Sequence, residues 1–214
     1  LRNAPFVKDV LTMKDLLTSL GSKVELKKEK KIIKIINNKK HKLTVPYNLV
    51  STMRAGVLTM GPLLAKYPKS KIRVALGGGC ALGIRDTSWH LSGFKSLGAN
   101  NNLNKGYVNI FSKNGLKGNF FKFPKVSVTG SSNLIMASIL IKGEHIIKNI
   151  SIEPEVKDLI EFLNNSGAQI KFIGKRSIKI QGVNELVHGD HTIIGDRIEA
   201  FSYLCVGAIT NGTV

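Results

Sequence analysis

The sequence is poor in cysteine, with only Cys80 and Cys205 among its 214 residues. Two cysteines cannot build a disulfide framework, and no Cys and His spacing suggests zinc, so we expect neither a metal ion nor a cofactor. The sequence also lacks any apolar run of about 18 residues, and no membrane span is expected. These absences favour a globular protein of a reducing, cytoplasmic compartment.

Acidic residues and arginine are also scarce. Lysine and arginine number 32 against 14 acidic residues, for a net charge of +18. Such an excess is typical of nucleic-acid-binding proteins, but arginine is the side chain suited to bidentate phosphate and guanine contacts. The only arginines are Arg2, Arg54, Arg73, Arg85, Arg176 and Arg197. The composition therefore argues against a nucleic-acid partner, and it fits either an acidic, phosphorylated small molecule or a codon bias toward lysine and asparagine.

A helix–glycine pattern recurs along the chain. Residues 10–20, 87–97 and 156–165 carry apolar side chains at helical spacing, and a glycine follows each segment. These glycines are Gly21, Gly98 and Gly167. Two predicted strands and a more apolar helix follow each segment, which indicates α/β units repeated about every 70 residues. Apolar helices covered by sheets predict helices inside and sheets outside.

Several element boundaries are predicted less directly. Residues 46–67 predict one longer helix, which Gly61-Pro62 would kink. Residues 120–128 predict a strand that leads through Thr129-Gly-Ser-Ser132 into an apolar helix at 133–141. The final helix is predicted at 196–210, and we expect its Cys205 to lie in the core.

A glycine-rich stretch stands out at Val74-Ala-Leu-Gly-Gly-Gly-Cys-Ala-Leu-Gly-Ile-Arg-Asp-Thr-Ser-Trp-His90. Glycines give a tightly turned loop whose backbone amides approach a ligand closely. A thiol on such a loop is accessible, and a neighbouring cation lowers its pKa toward the reactive thiolate. The alternative is that Cys80 is an inert buried residue, as most free cysteines are.

This stretch resembles the catalytic loop of the UDP-N-acetylglucosamine enolpyruvyl transferases, which reads roughly Leu-Pro-Gly-Gly-Cys-x-Ile-Gly-x-Arg-Pro-x-Asp-Leu-His. The residues that match in identity and spacing are Cys80, Gly83, Arg85 and His90. The departures are Gly77 and Asp86, in place of the two prolines, and Ser88, in place of the aspartate. A structural role for His90, in the core or supporting the loop, is an equally good reading.

The resemblance extends along nearly the whole chain. Pro46-Tyr-Asn-Leu-Val-Ser-Thr-Met-Arg-Ala55 is similar to the family's Pro-Tyr-Asp-Leu-Val-x-x-Met-Arg-Ala, and Pro124-Lys-Val-Ser-Val128 resembles its uridine-nucleotide contact. Glu153-Pro-Glu-Val156 and Asp196-Arg-Ile-Glu199 match further signatures, although the two glutamates of the first also suit a helix start. The shikimate-using relative lacks the cysteine loop and fits less well. The family implies an inside-out α/β barrel of about three repeated units.

The resemblance also implies a reaction: transfer of enolpyruvyl from phosphoenolpyruvate to the 3-hydroxyl of UDP-N-acetylglucosamine, the first committed step of bacterial peptidoglycan synthesis. It makes Cys80 the general acid and a target of the epoxide phosphonate fosfomycin. The residues it assigns to substrate binding are Arg54, Arg85, Asp86, Thr87, Ser88, Trp89, Lys125, Val126, Ser127 and Val128. Both substrates are small molecules, and no membrane partner is implied.

The family enzyme is about twice as long, with two such barrels and the active site between them. We therefore expect residues 1–195 to form one barrel domain without its first helix, and residues 196–214 to begin a second. The opening Leu1-Arg-Asn-Ala-Pro5, without a start Met or signal peptide, fits a chain entered partway. A chain lacking that second domain should turn over little or no substrate. The alternatives are a non-catalytic, basic RNA-binding module of related fold and a decaying gene copy.

Overall fold

The computed structural model describes residues 1–37, 40–51, 53–75 and 87–214. Its helices are α1 (Lys8–Leu20), α2 (Tyr47–Val50), α3 (Met60–Lys66), α4 (Ser88–Ser96), α5 (Val128–Ser138), α6 (Pro154–Asn165) and α7 (Arg197–Thr210). Its strands are β1 (Lys23–Lys27), β2 (Ile32–Ile36), β3 (Thr44–Val45), β4 (Ile72–Ala75), β5 (Asn100–Asn104), β6 (Tyr107–Phe111), β7 (Phe120–Lys122), β8 (Glu144–Lys148), β9 (Gln169–Gly174) and β10 (Ser177–Gln181). Short 3-10 helices cover Lys28–Lys30 and Arg54–Thr59.

Two four-stranded sheets have the same topology. One has the strand order β3-β4-β6-β5 and the other has the order β7-β8-β10-β9. In each sheet the first two strands are parallel and the remaining neighbours are antiparallel. Along the chain each unit therefore runs strand, inner helix, strand, outer helix and a final hairpin. The repeat predicted from the sequence is confirmed at the level of strand order.

A third unit is closed by segments from both ends of the described chain. Its hairpin is β1-β2, preceded by α1. Residues 1–4 run beside β2, where Leu1 and Ile33 exchange backbone hydrogen bonds of 2.8 and 2.9 Å. On their other side Arg2 forms a parallel bridge with Thr192. Segment 191–193 thus occupies the place of a first strand, and the described residues of this unit include no inner helix.

The predicted glycines end the outer helix of each unit. Gly21, Gly98 and Gly167 have φ angles of 108°, 89° and 96°, in the left-handed region. Only glycine adopts this region without a steric penalty, so the residue marks the point where an outer helix turns into its hairpin. The predicted repeat therefore has a local conformational basis.

Helix α5 lies at the centre of the core. Eight of its eleven residues are buried, and Leu134 and Ile135 are among the most fully buried large side chains of the described chain. The sheets contribute inward-facing residues such as Ile72, Ile110 and Ile147, each at most 2% exposed. The predicted arrangement of helices inside and sheets outside is therefore present.

Two predicted boundaries were wrong. Residues 46–67 form three short pieces, α2, the 3-10 helix Arg54–Thr59 and α3, instead of one helix. The strand predicted at 120–128 ends at Lys122, and the helix predicted from Asn133 begins at Val128. The Thr-Gly-Ser-Ser stretch lies inside α5 because its small residues permit close packing, which outweighs their weak helix propensity.

Helix α7 confirms the predicted final helix, but it is not buried. Asp196 caps it, accepting hydrogen bonds from the backbone of Ile198 (2.8 Å) and Glu199 (3.1 Å). Its largest apolar side chains are exposed, with Phe201 at 66% and Ile209 at 82%. The exposed apolar residues of this helix are Ile198, Phe201, Tyr203, Leu204, Val206 and Ile209.

Because α7 lies outside the core, the expected burial of its cysteine was wrong: Cys205 is only half-buried.

Helix length and hydropathy decide whether a helix can cross a membrane. Across the described ranges, every helix falls short of the length and apolarity needed to cross a membrane.

Candidate functional site

The predicted site residues that the structure describes fall on three segments. Cys80, Arg85 and Asp86 lie outside the described residues, as do the other positions of 76–86. The remaining predicted residues lie at the starts of three elements. The 3-10 helix begins at Arg54, and Thr87, Ser88 and Trp89 form the start of α4. Helix α5 is preceded by Lys125, Val126 and Ser127 and begins at Val128.

The Arg54 segment is fixed by its apolar neighbours. Met53, just before it, is 1% exposed, and Val57, one turn later, is 8% exposed. Arg54 itself is half-buried. The buried neighbours therefore fix the backbone that carries Arg54, and its guanidinium is suited to pairing with an anionic ligand.

The Thr87–Trp89 segment lies directly after the cysteine-bearing stretch. The Thr87 carbonyl accepts hydrogen bonds from the backbone of His90 (3.1 Å) and Leu91 (3.2 Å) and so starts α4. Ser88 is exposed, whereas Trp89 packs against the core. The Trp89 indole therefore anchors the first turn of α4 to the core.

The Lys125–Val128 segment forms the start of α5. The Ser127 hydroxyl caps this helix by accepting a hydrogen bond from Gly130 N at 3.1 Å. Lys125 and Val126 are exposed. A lysine placed two residues before the cap adds its charge to the positive end of the helix dipole. The start of α5 therefore favours anionic groups such as phosphates.

A buried polar cluster joins these three segments, and it was missed from the sequence. Asn133 on α5 is fully buried, and its side chain contacts Val57, Gly61 and His90. The His90 ring also lies 3.3 Å from the hydroxyl of Thr129. The one available signal was an asparagine inside an otherwise apolar helix, a position that requires partners. Of the two readings of His90, its contacts with Asn133 and Thr129 support the structural one.

Charged residues at the starts of α6 and α7 form an ion-pair cluster. Arg197 makes a bidentate contact to Glu155, at 3.0 and 3.2 Å, and its Nη2 lies 3.2 Å from Glu153. The hydrogen bond from Arg197 lowers the pKa of the Glu155 carboxyl, and the same bond raises the pKa of Arg197. These two glutamates therefore bind the start of α7. This pairing adds to their favourable position at the first turn of α6.

Two shallow clefts lie away from the predicted site. One runs along α7 between Leu204 and Val214, and the other lies between Ile152 and Phe172. None of the described site residues lines either cleft. The described chain also offers no group of three His, Cys, Asp or Glu side chains arranged to hold a metal ion.

Three curated proteins similar to this chain share one name. The chain is 48% identical over 214 residues to the UDP-N-acetylglucosamine 1-carboxyvinyltransferase of Pelagibacter ubique. It is 42% identical over 212 residues to the protein of that name from Trichlorobacter lovleyi, and 41% identical to the one from Dinoroseobacter shibae. The alignments cover 99–100% of this chain but 50% of each relative, so the chain spans about half the length of the curated relatives it matches.

Solved structures agree on the fold. The enolpyruvyl transferase NikO from Streptomyces tendae superposes with a TM-score of 0.82 at 18% identity, over 96% of this chain and 48% of that one. An EPSP synthase from Acinetobacter baumannii gives a TM-score of 0.68 at 19% identity, over 92% and 44%. At such identities the likeness shows the fold alone, the inside-out α/β barrel predicted from the sequence. The family model described as EPSP synthase (3-phosphoshikimate 1-carboxyvinyltransferase) matches residues 1–214, and the chain belongs to this family of enolpyruvyl transferases.

Proposed function

We propose that this chain is the part of an enolpyruvyl transferase that holds UDP-N-acetylglucosamine. The whole protein would transfer enolpyruvyl from phosphoenolpyruvate to the 3-hydroxyl of that sugar nucleotide. The observation that carries the proposal is the 48% identity, over all 214 residues, to a relative named for this reaction. The fold alone would not choose the acceptor, because the structural neighbours are too distant in sequence.

The reaction proceeds by addition and then elimination. The Cys80 thiol gives its proton to C3 of phosphoenolpyruvate while the sugar oxygen bonds to C2, and the acceptor's hydroxyl proton is taken up by a base. Loss of a C3 proton then restores the double bond as the C2–O bond to phosphate breaks. A thiol able to switch between acid and thiolate near neutral pH suits this role.

The binding roles follow from charge and position. Arg85 would neutralise phosphate or carboxylate charge next to Cys80. Arg54 and Lys125 would contact the sugar nucleotide, with Val126, Ser127 and Val128 beside it. Asp86, Thr87, Ser88 and Trp89 would hold uracil and ribose largely through backbone groups, so the departures at Asp86 and Ser88 need not abolish binding. The glycine-rich stretch would close over the sugar nucleotide and exclude water.

The domain limits are part of the proposal. Residues 1–195 would form the sugar-nucleotide barrel, and residues 196–214 would begin a second barrel that completes the active site. The exposed apolar side chains of α7 support this division. In a cell the whole protein would act in the bacterial cytoplasm, in peptidoglycan synthesis and hence in cell-wall growth and division.

Binding of UDP-N-acetylglucosamine to the chain tests the proposal most directly. Calorimetry should show weak binding that Arg54→Gln and Lys125→Gln each weaken by about tenfold, the effect of losing one charge-assisted hydrogen bond. The matched control is Lys142→Gln, which removes an exposed lysine beyond the opposite end of α5 from Lys125. If the sugar nucleotide does not bind, or if all three variants behave alike, the proposal is wrong.

Three further measurements separate the alternatives. Fosfomycin should alkylate Cys80 and spare the half-buried Cys205, and a Cys80→Ala variant should gain no mass. The chain alone should release little or no phosphate from the two substrates, and steady turnover would refute the need for a second barrel. Salt-sensitive RNA binding without sugar-nucleotide binding would instead favour the basic-module alternative.

A further inference from the structure

Asn133 is a fully buried polar residue on the innermost helix, and none of the roles above uses it. Its Oδ1 accepts a hydrogen bond from the backbone N–H of Gly61 at 2.8 Å. Its Nδ2 donates to the backbone carbonyl of Val57 at 2.9 Å and lies 2.9 Å from Nδ1 of His90. One amide therefore joins α5 to three other points of the chain.

The orientation of this amide is fixed by its backbone partners. An N–H can only donate and a carbonyl can only accept, so the oxygen must face Gly61 and the nitrogen must face Val57. The second Nδ2 hydrogen then points to His90, and Nδ1 of His90 must accept it. The ring is thus neutral, with its proton on Nε2, the nitrogen 3.3 Å from Thr129 Oγ1.

Close helix packing makes the contact rigid. A Cβ at Gly61 would overlap the Asn133 carbonyl oxygen and would lie 2.7 Å from its Oδ1, so only glycine lets α3 approach α5 this closely. On the other side, a Cβ at Gly93 of α4 would come within 3.1 Å of Leu134. The Asn133 amide therefore lies between closely packed helices, held by its hydrogen bonds to Gly61 and Val57.

The partners of this cluster stand next to the residues assigned to the substrate. Val57 lies in the 3-10 helix that Arg54 begins. His90 follows Trp89 directly, and Thr129 follows Val128. A shift of the Asn133 amide would consequently change the spacing of all three substrate-contacting segments at once.

We propose that Asn133 is a positioning residue whose amide fixes the relative placement of the segments starting at Arg54, Thr87 and Lys125, partly by holding His90 as the neutral Nε2–H tautomer. This proposal rests on the proposed function for the identity of the ligand. It goes beyond that function in assigning the site's geometry to a buried group that touches no substrate.

The test compares Asn133→Ala with Ile135→Ala, a fully buried neighbour on the same helix that makes no polar contact. Both variants lose stability, so measurements are made well below both unfolding temperatures. Asn133→Ala should weaken UDP-N-acetylglucosamine binding about tenfold or more. Ile135→Ala should change it by less than about twofold, because it leaves the three segments joined. Equal losses in the two variants would reduce Asn133 to a structural role.

Trp89 gives a readout that does not depend on binding. It is the only tryptophan of the chain and lies beside His90, so its fluorescence reports on the start of α4. Asn133→Ala should shift its emission and open it to a soluble quencher, whereas Ile135→Ala should not. An unchanged spectrum in folded Asn133→Ala would overturn the proposal, even if the wild-type chain binds the sugar nucleotide.

The tautomer of His90 can be measured on the wild-type chain, without reliance on a variant that folds poorly. In ¹⁵N spectra at neutral pH, the His90 signals, assigned by their loss in His90→Gln, should show an unprotonated Nδ1 and a protonated Nε2. Asn133→Asp keeps the shape but removes the donor, and it should protonate Nδ1 as well. A ring already protonated at Nδ1 in the wild type would overturn the assignment. Failure of the sugar nucleotide to bind the wild type, with the tautomer as expected, would reject the proposed function alone.

Discussion

Helices α5 and α7 are both rich in apolar residues, but they have opposite surroundings. Each is capped by a side chain, Ser127 for α5 and Asp196 for α7. Helix α5 packs against α3, α4 and α6, and even its Asn133 and Ser138 are fully buried. Helix α7 exposes Phe201 and Ile209. Composition alone therefore does not decide whether a helix is an inner one, because burial requires sheets and helices around it.

The largest expected difference concerns removal of an apolar side chain from each helix. Ile135→Ala in α5 should lower the free energy of unfolding by about 2–5 kcal/mol, because it leaves a cavity in a closed core. Ile209→Ala in α7, where the side chain is 82% exposed, should change it by about 0.5 kcal/mol or less. Urea unfolding followed by circular dichroism gives both values. Similar losses at the two sites would show that α7 is packed in solution.

Glycine-to-alanine substitutions at the α3–α5 contact and in α7 provide a second comparison of the buried and the exposed helix. Gly61→Ala places a methyl group against the backbone of α5 and should cost about 1–3 kcal/mol. In Gly207→Ala the new methyl overlaps a methyl of Val214, the last residue, which is free to shift, and it meets Gly212 O at an ordinary 3.6 Å. Alanine also favours the helix by about 1 kcal/mol. We therefore expect α7 to keep or gain stability. A neutral Gly61→Ala would contradict the close approach of α3 to α5.

The exposed face of α7 should be detectable with a dye that fluoresces in apolar surroundings. A variant carrying Phe201→Asp and Ile209→Asp should lose most of this signal, because large apolar patches on a folded surface are uncommon elsewhere. Substitutions of two exposed strand lysines, Lys122→Asp and Lys171→Asp, serve as the control and should leave the signal unchanged. Dye binding that survives the α7 substitutions would place the exposed surface elsewhere.

The smallest effect is expected from the ion pair that joins the two helix starts. Because the folded-state pKa of Glu155 is lowered by Arg197, the pair stabilises the fold above the ordinary glutamate pKa. That stabilisation is lost as the pH falls through the lowered value, and the pair's exposure to solvent keeps it small. Thermal melts between neutral and acidic pH should show this loss in the wild type and a weaker one in Arg197→Gln. Parallel curves would mean that the pair contributes nothing in solution.

Local features of the fold were predictable from the sequence, and features set by distant packing were not. The glycines that end the outer helices were found because their conformation depends on the adjacent residues alone. The start of α5 was placed too late because Thr-Gly-Ser-Ser resembles a loop until its burial is known. Residues 46–67 form three short helices instead of the one predicted helix for a similar reason, because contacts with α5 determine where this stretch bends.

The candidate site, like the fold, was predictable from the sequence only in its local features. Short motifs located Arg54, Thr87–Trp89 and Lys125–Val128, and the structure places each at the start of an element. Asn133 could not be assigned from the sequence, because its partners Val57 and Gly61 lie more than 70 positions away along the chain. Its role depends on which groups the fold brings together.

The seam between residues 1–4 and 191–193 has a consequence for the order of folding. Each four-stranded unit is built from one continuous stretch, so it can assemble as soon as that stretch has left the ribosome. The seam joins Arg2 to Thr192 and must wait until almost all of the described chain has been made. During synthesis, residues 1–4 can therefore pair with β2 early. The other edge of residues 1–4, which pairs with residues 191–193 in the finished fold, stays open to other strands until those residues are made.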